Sequence, residues 1–542
     1  MTTTTRPSSS RQPAQQPQLR PGAGARVVDA VAGIAAGGLT LAVADLVAQV
    51  VDPAASPLIA VGGTFIDLTP GWLKDFAVST FGTNDKLVLL LSMGAVITAL
   101  AAVAGLAVRR RPRVAAALVL LLGIVAALAA ATRPVAGPLA VVPSLVGLAA
   151  GLAALLLYAR VLRGRGPRRL RAPAPGAAPA EVTPARPAPA RRQVLGTVVG
   201  TAGVAVLAGA AGRLLPDVTG HGTGPQDVRL PAAADPAKGD LAATSVGVAG
   251  VTPFVTAARD FYRIDTALAV PQLDASRWRL RLHGLVDREI ELSFRDLLAM
   301  PLVERTITLT CVSNEVGGTL AGNATWLGVP VRTLLERAGV RPEADMVLSR
   351  SSDGFTASTP VAALTDGRDA LLAVGMNGAP LPYEHGFPVR MVVPGLYGFV
   401  SATKWLVDLE VTRFDRAQAY WTRRGWSPEA PIRTFSRIDV PRPFAQAKAG
   451  TVAVGGVAWA QHRGVNGVEV RVDGGPWSPA RLGGVPSVDT WRQWSWEWDA
   501  TPGLHRLEVR ATDALGDTQP ETRRPPKPDG ATGWHSVTVT VT

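Results

Sequence analysis

Apolar residues divide the 542-residue chain near position 215. Apolar stretches near 27–51, 86–108, 114–132 and 137–158 are each about long enough to cross a ~30 Å hydrocarbon layer as a helix. A fifth, weaker stretch, mostly Ala, Gly, Val and Thr, runs from Val194 to about Leu215. Phe65 to Phe81 is too short and too polar to span and reads as an interfacial amphipathic turn or helix. From 251 the texture changes. Arg277–Leu285 (RWRLRLHGL) and Thr306–Cys311 (TITLTC) alternate as strands do, and Met346–Ser349 and Val389–Val393 are further strands. Phe294–Met300 reads as a short helix ended by Pro301, and Val331–Ala338 has helical apolar spacing that stops at Gly339. After Pro431 the helical pattern disappears, and Thr451–Ala460, Gly467–Val472, Trp491–Asp499, His505–Thr512 and Ser536–Thr542 alternate between turn residues.

These patterns predict seven segments. Residues 1–25, rich in Thr, Ser, Pro and Gln, form a disordered tail. Residues 26–160 form an all-α, four-helix transmembrane region, and 161–191 an Arg/Ala/Pro-rich cytoplasmic linker. A fifth transmembrane helix occupies 192–215, followed by a linker over 216–250. Residues 251–428 mix short strands and helices as an α+β domain, and 429–542 form an all-β, immunoglobulin-like sandwich. The series Trp491, Trp494, Trp496, Trp498 puts several rings on one face; core or domain-interface packing is favoured over a ligand platform.

Charge orients the membrane region. The formal net charge is +13. Much of the excess is Arg in the tail (Arg6, Arg11, Arg20, Arg26), after the second stretch (Arg109, Arg110, Arg111, Arg113) and between Arg160 and Arg192. The alternate connectors carry Asp52, Asp67, Lys74 and Asp75, or Arg133 alone. By the positive-inside rule the N-terminus lies inside and everything beyond 215 lies outside. The expected partner is therefore the lipid bilayer of a cell membrane, crossed several times, and no recognised motif directs the charge to nucleic acid. Arg191-Arg192 before a weakly hydrophobic helix resembles a twin-arginine export signal, and reads equally well as positive-inside arginines. Export of a folded domain suits an enzyme that receives a bulky cofactor in the cytoplasm. All six histidines follow residue 215, so the helices hold no bis-His haem.

The single cysteine, Cys311, ends a strand pattern and begins a polar, Gly-containing loop, Thr308 to Gly318 (TLTCVSNEVGG). A thiol at a strand end beside backbone N–H groups serves as a structural thiol, a nucleophile with a His, or a soft metal ligand.

This segment resembles the cofactor-ligating segment of the sulfite-oxidase family, particularly its bacterial membrane-anchored branch. The resemblance continues over roughly 250–540, through DFYRIDTAL (Asp260–Leu268), WLGVP (Trp326–Pro330), GMNGAPLP (Gly375–Pro382), HGFPVR (His385–Arg390), VPGLYG (Val393–Gly398), SATKWL (Ser401–Leu406) and YWTRRGW (Tyr420–Trp426). It implies that Cys311 is the one protein ligand to the molybdenum of a molybdopterin cofactor. It assigns His385, Arg390 and Lys404 to the pterin and its phosphate, roles that suit an Arg fork and a Lys point charge. Tyr262, Arg263, Asp353 and Thr403 fall where the family lines its cofactor cleft, with Arg263 and Cys311 as the catalytic pair. Glu315 stands where sulfite oxidases have Arg, and Val374 where they have Tyr. These departures point to a small-molecule substrate other than sulfite, in a two-electron oxo transfer whose direction stays open. With no Cys-x-x-Cys-His motif, no haem is expected, and electrons pass to or from a separate redox carrier or membrane electron-transfer protein. A dimerisation-type C-terminal domain leaves a homodimer open. Two rivals stand beside this reading: a non-catalytic receptor or scaffold that keeps the fold without metal, and a Cys/His hydrolase pairing Cys311 with His385.

Overall fold

The computed structural model describes residues 23–81, 84–133, 137–163, 191–219 and 222–542. The chain forms two compact units: Met1–Thr64 with Ala77–Thr132 and Gly137–Leu214, and Phe65–Phe76 with Arg133–Ala136 and Leu215–Thr542.

Seven helices precede residue 220 among the described residues: α1 (Ala23–Val51), α2 (Pro57–Leu68), α3 (Gly71–Phe81), α4 (Asp85–Val108), α5 (Pro112–Ala131), α6 (Val142–Arg163) and α7 (Arg191–Thr219). The five longest, α1, α4, α5, α6 and α7, are long and apolar enough to cross a membrane. Three expectations are corrected. Helix α1 starts at Ala23, inside the expected tail, whose residues 1–22 lie outside the described residues. Helix α6 starts at Val142 rather than 137, because Pro143 fits only the first turn of a helix. The segment after α1 is two helices, broken at Thr69-Pro70, where the residue before a proline is pushed out of helical geometry. The linker expected over 161–191 lies outside the described residues from 164 to 190.

In the first unit α1 packs on α4 and α6, and α5 packs on α4 and α6. A Cβ on Gly33 would fall on the Ala101 carbonyl, and one on Gly105 on the Asp29 carbonyl, so glycine sets how closely α1 and α4 approach. The carboxylate of Asp29, 2% exposed, is held by both arms of the Arg109 fork at 2.8 Å and by the Tyr158 hydroxyl at 2.7 Å. A charge buried in an apolar bundle is tolerated only when paired and hydrogen-bonded in this way.

The second unit opens with an α+β part. Its strands are β1 (Arg279–Gly284), β2 (Ile290–Ser293), β3 (Val303–Thr310), β4 (Ala321–Pro330), β5 (Met346–Ser351), β6 (Thr356–Pro360), β7 (Leu371–Met376), β8 (Ala379–Pro380), β9 (Arg390–Val392) and β10 (Leu406–Thr412). They form one sheet in the order β2-β1-β10-β5-β6 and another in the order β3-β4-β7-β8, with β9 also on β7. Short helices α8 (Phe294–Leu298), α9 (Val331–Ala338), α10 (Val361–Thr365) and α11 (Gly398–Ser401) join them. Helix α9 ends on Gly339 at φ 70°, a left-handed cap that glycine adopts at no steric cost. Strand β7 is buried along its whole length, and Trp326 of β4 lies in the same core.

Nine further strands follow: β11 (Phe435–Val440), β12 (Gln446–Ala447), β13 (Gly450–Trp459), β14 (Val465–Val472), β15 (Ser478–Pro479), β16 (Arg481–Leu482), β17 (Arg492–Ala500), β18 (Gly503–Asp513) and β19 (His535–Val541). Sheets β11-β13-β17-β16 and β12-β19-β18-β14-β15 enclose one core that includes Val454, Val470, Val509 and Val539. Trp494 and Trp498 are buried in that core, and Trp496 packs against it. Trp491 instead joins the core of the α+β part, donating Nε1–H to the Phe254 carbonyl at 2.9 Å. The tryptophan series is packing, as favoured.

Candidate active site

Strand β3 is buried from Thr306 onward and delivers Cys311 one residue past its end. The loop that follows is closed by Asn314. Its N–H donates to the Cys311 carbonyl at 3.0 Å, and its Oδ1 accepts from the Leu320 N–H at 2.8 Å. Gly317, at φ 80°, turns the chain where a side chain would strike the His535 ring.

Cys311 opens on a cavity of about 130 Å³. Of the residues expected at the site, Cys311, Tyr262, Asp353, His385, Arg390 and Lys404 all line it. Phe261 supports this cluster, stacking on Tyr262 at 5.2 Å and meeting His385 and Trp326 edge-on. Much of the remaining wall is apolar or aromatic, including Ile264, Phe355, Phe399, Trp421 and Trp426.

Arg390 is a buried cation with poor compensation. It is 5% exposed and lies over the Trp326 ring at 5.0 Å. Among the described residues its N–H groups reach the carbonyls of His385 (3.3 Å), Ala402 (3.5 Å) and Met391 (3.5 Å). These are long hydrogen bonds. Burial pulls its pKa down to about 10, against the opposing pull of Tyr262. Lys404 lies within 2.7 Å of Asp265 and donates to the Glu384 carbonyl at 3.2 Å. Burial lowers its pKa to about 8 even though Asp265 raises it.

His385 donates Nε2–H to the Ala258 carbonyl at 2.7 Å, the only role open to a nitrogen facing an acceptor, which leaves Nδ1 as the ring's acceptor. Burial, then the charge of Arg390, lower its pKa to about 4, so the ring is neutral at pH 7. Burial raises the Tyr262 phenol far above its usual range, and Cys311 adds to that rise. Burial also raises the Cys311 thiol, opposed by hydrogen bonds from Ser313. Asp353 accepts from the Thr266 hydroxyl at 3.2 Å and the Phe355 N–H at 3.1 Å, and its carbonyl accepts from Arg133 at 2.8 Å.

Two expected residues stand off the wall. Thr403 is fully buried, its hydroxyl bonded to that of Ser349 at 2.7 Å. Arg263 is exposed, and its charge reaches the cavity only as a field that lowers the pKa of His385 and Lys404. Glu315 is also exposed, and Val374 is buried in the core on β7. Sequence reasoning did not assign Asp265, Trp421 or Trp426, although all three lie in the motifs that carried the resemblance.

The donor set fits a molybdopterin cofactor. A thiol suits a soft metal, and Cys311 presents one to the cavity. The guanidinium of Arg390, buried on the wall of the same cavity with long bonds to carbonyls as its hydrogen bonds among the described residues, is matched by an anionic group.

Fold and site together define an oxidoreductase-type molybdopterin-binding domain, and the family model described as oxidoreductase molybdopterin binding domain matches residues 267–421. Over 326 residues the chain is 31% identical to the mitochondrial sulfite oxidase of Homo sapiens, covering 51% of this chain and 59% of that protein. Over 153 residues it is 37% identical to an uncharacterised oxidoreductase, YuiH, of Bacillus subtilis, covering 28% of this chain and 74% of that protein. Among solved structures, the sulfane dehydrogenase SoxCD of Paracoccus pantotrophus aligns with a TM-score of 0.45 and 23% identity, over 56% of this chain and 90% of that one. The chain belongs to the sulfite-oxidase family of molybdopterin-binding oxidoreductases. It spans 59% of the length of the human sulfite oxidase it matches.

Proposed function

We propose that this protein is a membrane-anchored molybdenum-cofactor oxidoreductase that performs two-electron oxygen-atom transfer on a small substrate other than sulfite. The observation that carries the reading is that the Cys311 thiol, which wants a soft metal, and the Arg390 guanidinium, which wants an anion, open on one cavity.

When bound, the molybdenum cofactor supplies two-electron redox chemistry coupled to oxygen-atom transfer. The chain supplies the rest. Cys311 ligates the metal, and Arg390, Lys404 and His385 hold the pterin and its phosphate. Thr403 supports the cleft from the core behind Lys404, and Arg263 acts through its field. Tyr262 stays protonated at neutral pH, because burial raises its pKa, and keeps an uncharged phenol on the cavity wall. Ile264, Phe355, Phe399, Trp421 and Trp426 keep the approach dry and favour an uncharged substrate over sulfite.

Five apolar helices and the alternation of Arg-rich connectors support a multi-pass anchor with the catalytic part on the extracytoplasmic side. The arginines that open α7 fit a twin-arginine export signal and positive-inside anchoring equally. In this reading an oxidoreductase domain occupies 251–428 and an immunoglobulin-like domain, able to pair two copies, occupies 429–542. Electrons are exchanged with a separate carrier, without a resident haem.

Molybdenum analysis of the full chain, made in cells that synthesise the cofactor, tests this directly. The expected result is near one molybdenum per chain and a Mo(V) paramagnetic signal, both lost in Cys311→Ser. A well-folded wild type without molybdenum would favour the non-catalytic scaffold.

A further inference from the structure

Strand β3 lies at the edge of its sheet, paired on one side with β4. An open edge beside a metal-ligating loop leaves the position of the thiol to whatever covers that edge. Asp235 bridges the strand at Val303, and nearer Cys311 the cover comes from the C-terminal sandwich, in the same compact unit. The Thr308 N–H donates to the Asp489 carbonyl at 2.9 Å, and the Thr308 hydroxyl accepts from the Trp491 N–H at 2.7 Å. Gln461, 1% exposed in the turn after β13, donates from Nε2 to the Thr308 carbonyl at 3.0 Å and to the Thr310 hydroxyl at 3.1 Å. Its Oε1 has no hydrogen-bond partner among the described residues. A buried amide that leaves half its capacity unmet is retained against a folding penalty, and the groups it does reach are those on the strand just before Cys311. On the far side of the loop, Arg437 of β11 donates to the Gly318 carbonyl at 2.8 Å.

We infer that Gln461 is a positioning residue for the Cys311 thiol: the sandwich domain, through this side chain, fixes where the ligand-bearing strand ends. The inference rests on the proposed role of Cys311 for its consequence at the metal, while the position of the thiol is tested without metal. The side chain does not line the cavity. It acts by tying the Thr308 carbonyl and the Thr310 hydroxyl, on the edge away from β4, to a second domain, which adds to the β4 pairing in setting where the thiol enters the cavity.

The test uses the full chain in detergent with Gln461→Met, which keeps volume and removes both donations. Gln519→Met is the control, since Gln519 is an equally buried amide bonded to Ser436 and Gly533 within the sandwich and away from β3. In cofactor-free protein the rate of Cys311 alkylation by iodoacetamide should rise about tenfold in Gln461→Met and stay within about twofold of wild type in Gln519→Met. In loaded protein, Gln461→Met should retain molybdenum but shift the g-values of the Mo(V) signal, and Gln519→Met should leave them unchanged. Thr310→Val, which removes one of the two acceptors from the strand side, should move both readouts the same way by a smaller amount, and decides the matter if Gln461→Met does not fold. Equal effects of the two glutamine variants on both readouts would overturn the inference. If wild type holds no molybdenum the cofactor reading fails, while the alkylation comparison still decides whether Gln461 positions the thiol.

Discussion

Replacing Arg390 with Met should separate stability from cofactor binding. The fall in pKa from 12.5 to about 10 corresponds to ~3 kcal/mol by which burial disfavours the guanidinium. Against this stand the contact with the Trp326 ring, ~1–2 kcal/mol when desolvated, and hydrogen bonds of 3.3–3.5 Å that contribute little. The two sides nearly cancel, with the cation ~1 kcal/mol unfavourable in the cofactor-free protein. Methionine fills the space with an adaptable, uncharged chain. Cofactor-free Arg390→Met should therefore melt at the wild-type temperature or roughly 1–3 °C above it. Loading reverses the order. An anion held by charge-assisted hydrogen bonds stabilises only the protein that carries the cation, so loaded wild type should gain several degrees and Arg390→Met should gain none. The assay is tryptophan-fluorescence melting of the full chain in detergent, from cells with and without cofactor synthesis, with molybdenum measured on each sample. A cofactor-free variant melting more than about 5 °C below wild type would show that the charge is structural. A variant with a full molybdenum complement would refute the anion-binding role outright.

Three further outcomes follow from other parts of the molecule. Lys404→Gln breaks the buried 2.7 Å pair with Asp265; the cofactor-free protein should lose stability in urea unfolding, and the double change with Asp265→Asn should recover much of that without restoring molybdenum. His535 has its pKa lowered to about 4 by burial, then by Arg437 and Arg523 against Asp439, and its Nδ1 accepts from the Ile438 N–H at 3.0 Å. Between that value and the unfolded value of about 6.5 the unfolded chain binds the extra proton, so this stability is fully present above pH 6.5 and is lost as pH falls towards 4, by up to ~3 kcal/mol. Because His385 titrates in the same direction, His535→Gln, whose amide oxygen accepts the same bond, should remove only part of the slope of urea midpoints between pH 7 and pH 4.5. In the helical unit, Asp29→Asn should lower the melting temperature in detergent, since it removes the charge that meets the Arg109 fork; an unchanged melting curve would mean the pair adds nothing to helix association.

The helical half was legible because a membrane-length helix is recognised by a sum over some twenty residues, which tolerates errors at either end. Those errors had local causes: Pro143 sets the start of α6, and Thr69-Pro70 splits α2 from α3. In the α+β part, β1, β3 and α9 were visible because one face alternates or repeats at helical spacing. Strand β7 was not, because LLAVGM is buried on both faces and carries no period to read. Strand β4 carries Gly322, Asn323 and Gly328, whose small or polar character masks its ten residues.

The site shows a different limit. Its six wall residues expected from sequence run from Tyr262 to Lys404 and sit on loops, turns and strand ends, so no spacing rule joins them. Motif resemblance found them, and it found residue types suited to an anionic cofactor. It passed over Asp265 because a carboxylate argues against an anion site until the partner is seen, and that partner is Lys404 at 2.7 Å. It passed over Trp421 and Trp426 because an aromatic ring reads equally as core. Gln461 was beyond reach altogether: it lies 151 residues from Thr310, in a turn, and matters through a strand edge. Periodicity reports which face of an element is buried and says nothing of what covers an edge. Residues that hold a catalytic strand from another domain are therefore where sequence reading fails first, and where a substitution far from the cofactor should have its largest unexpected effect.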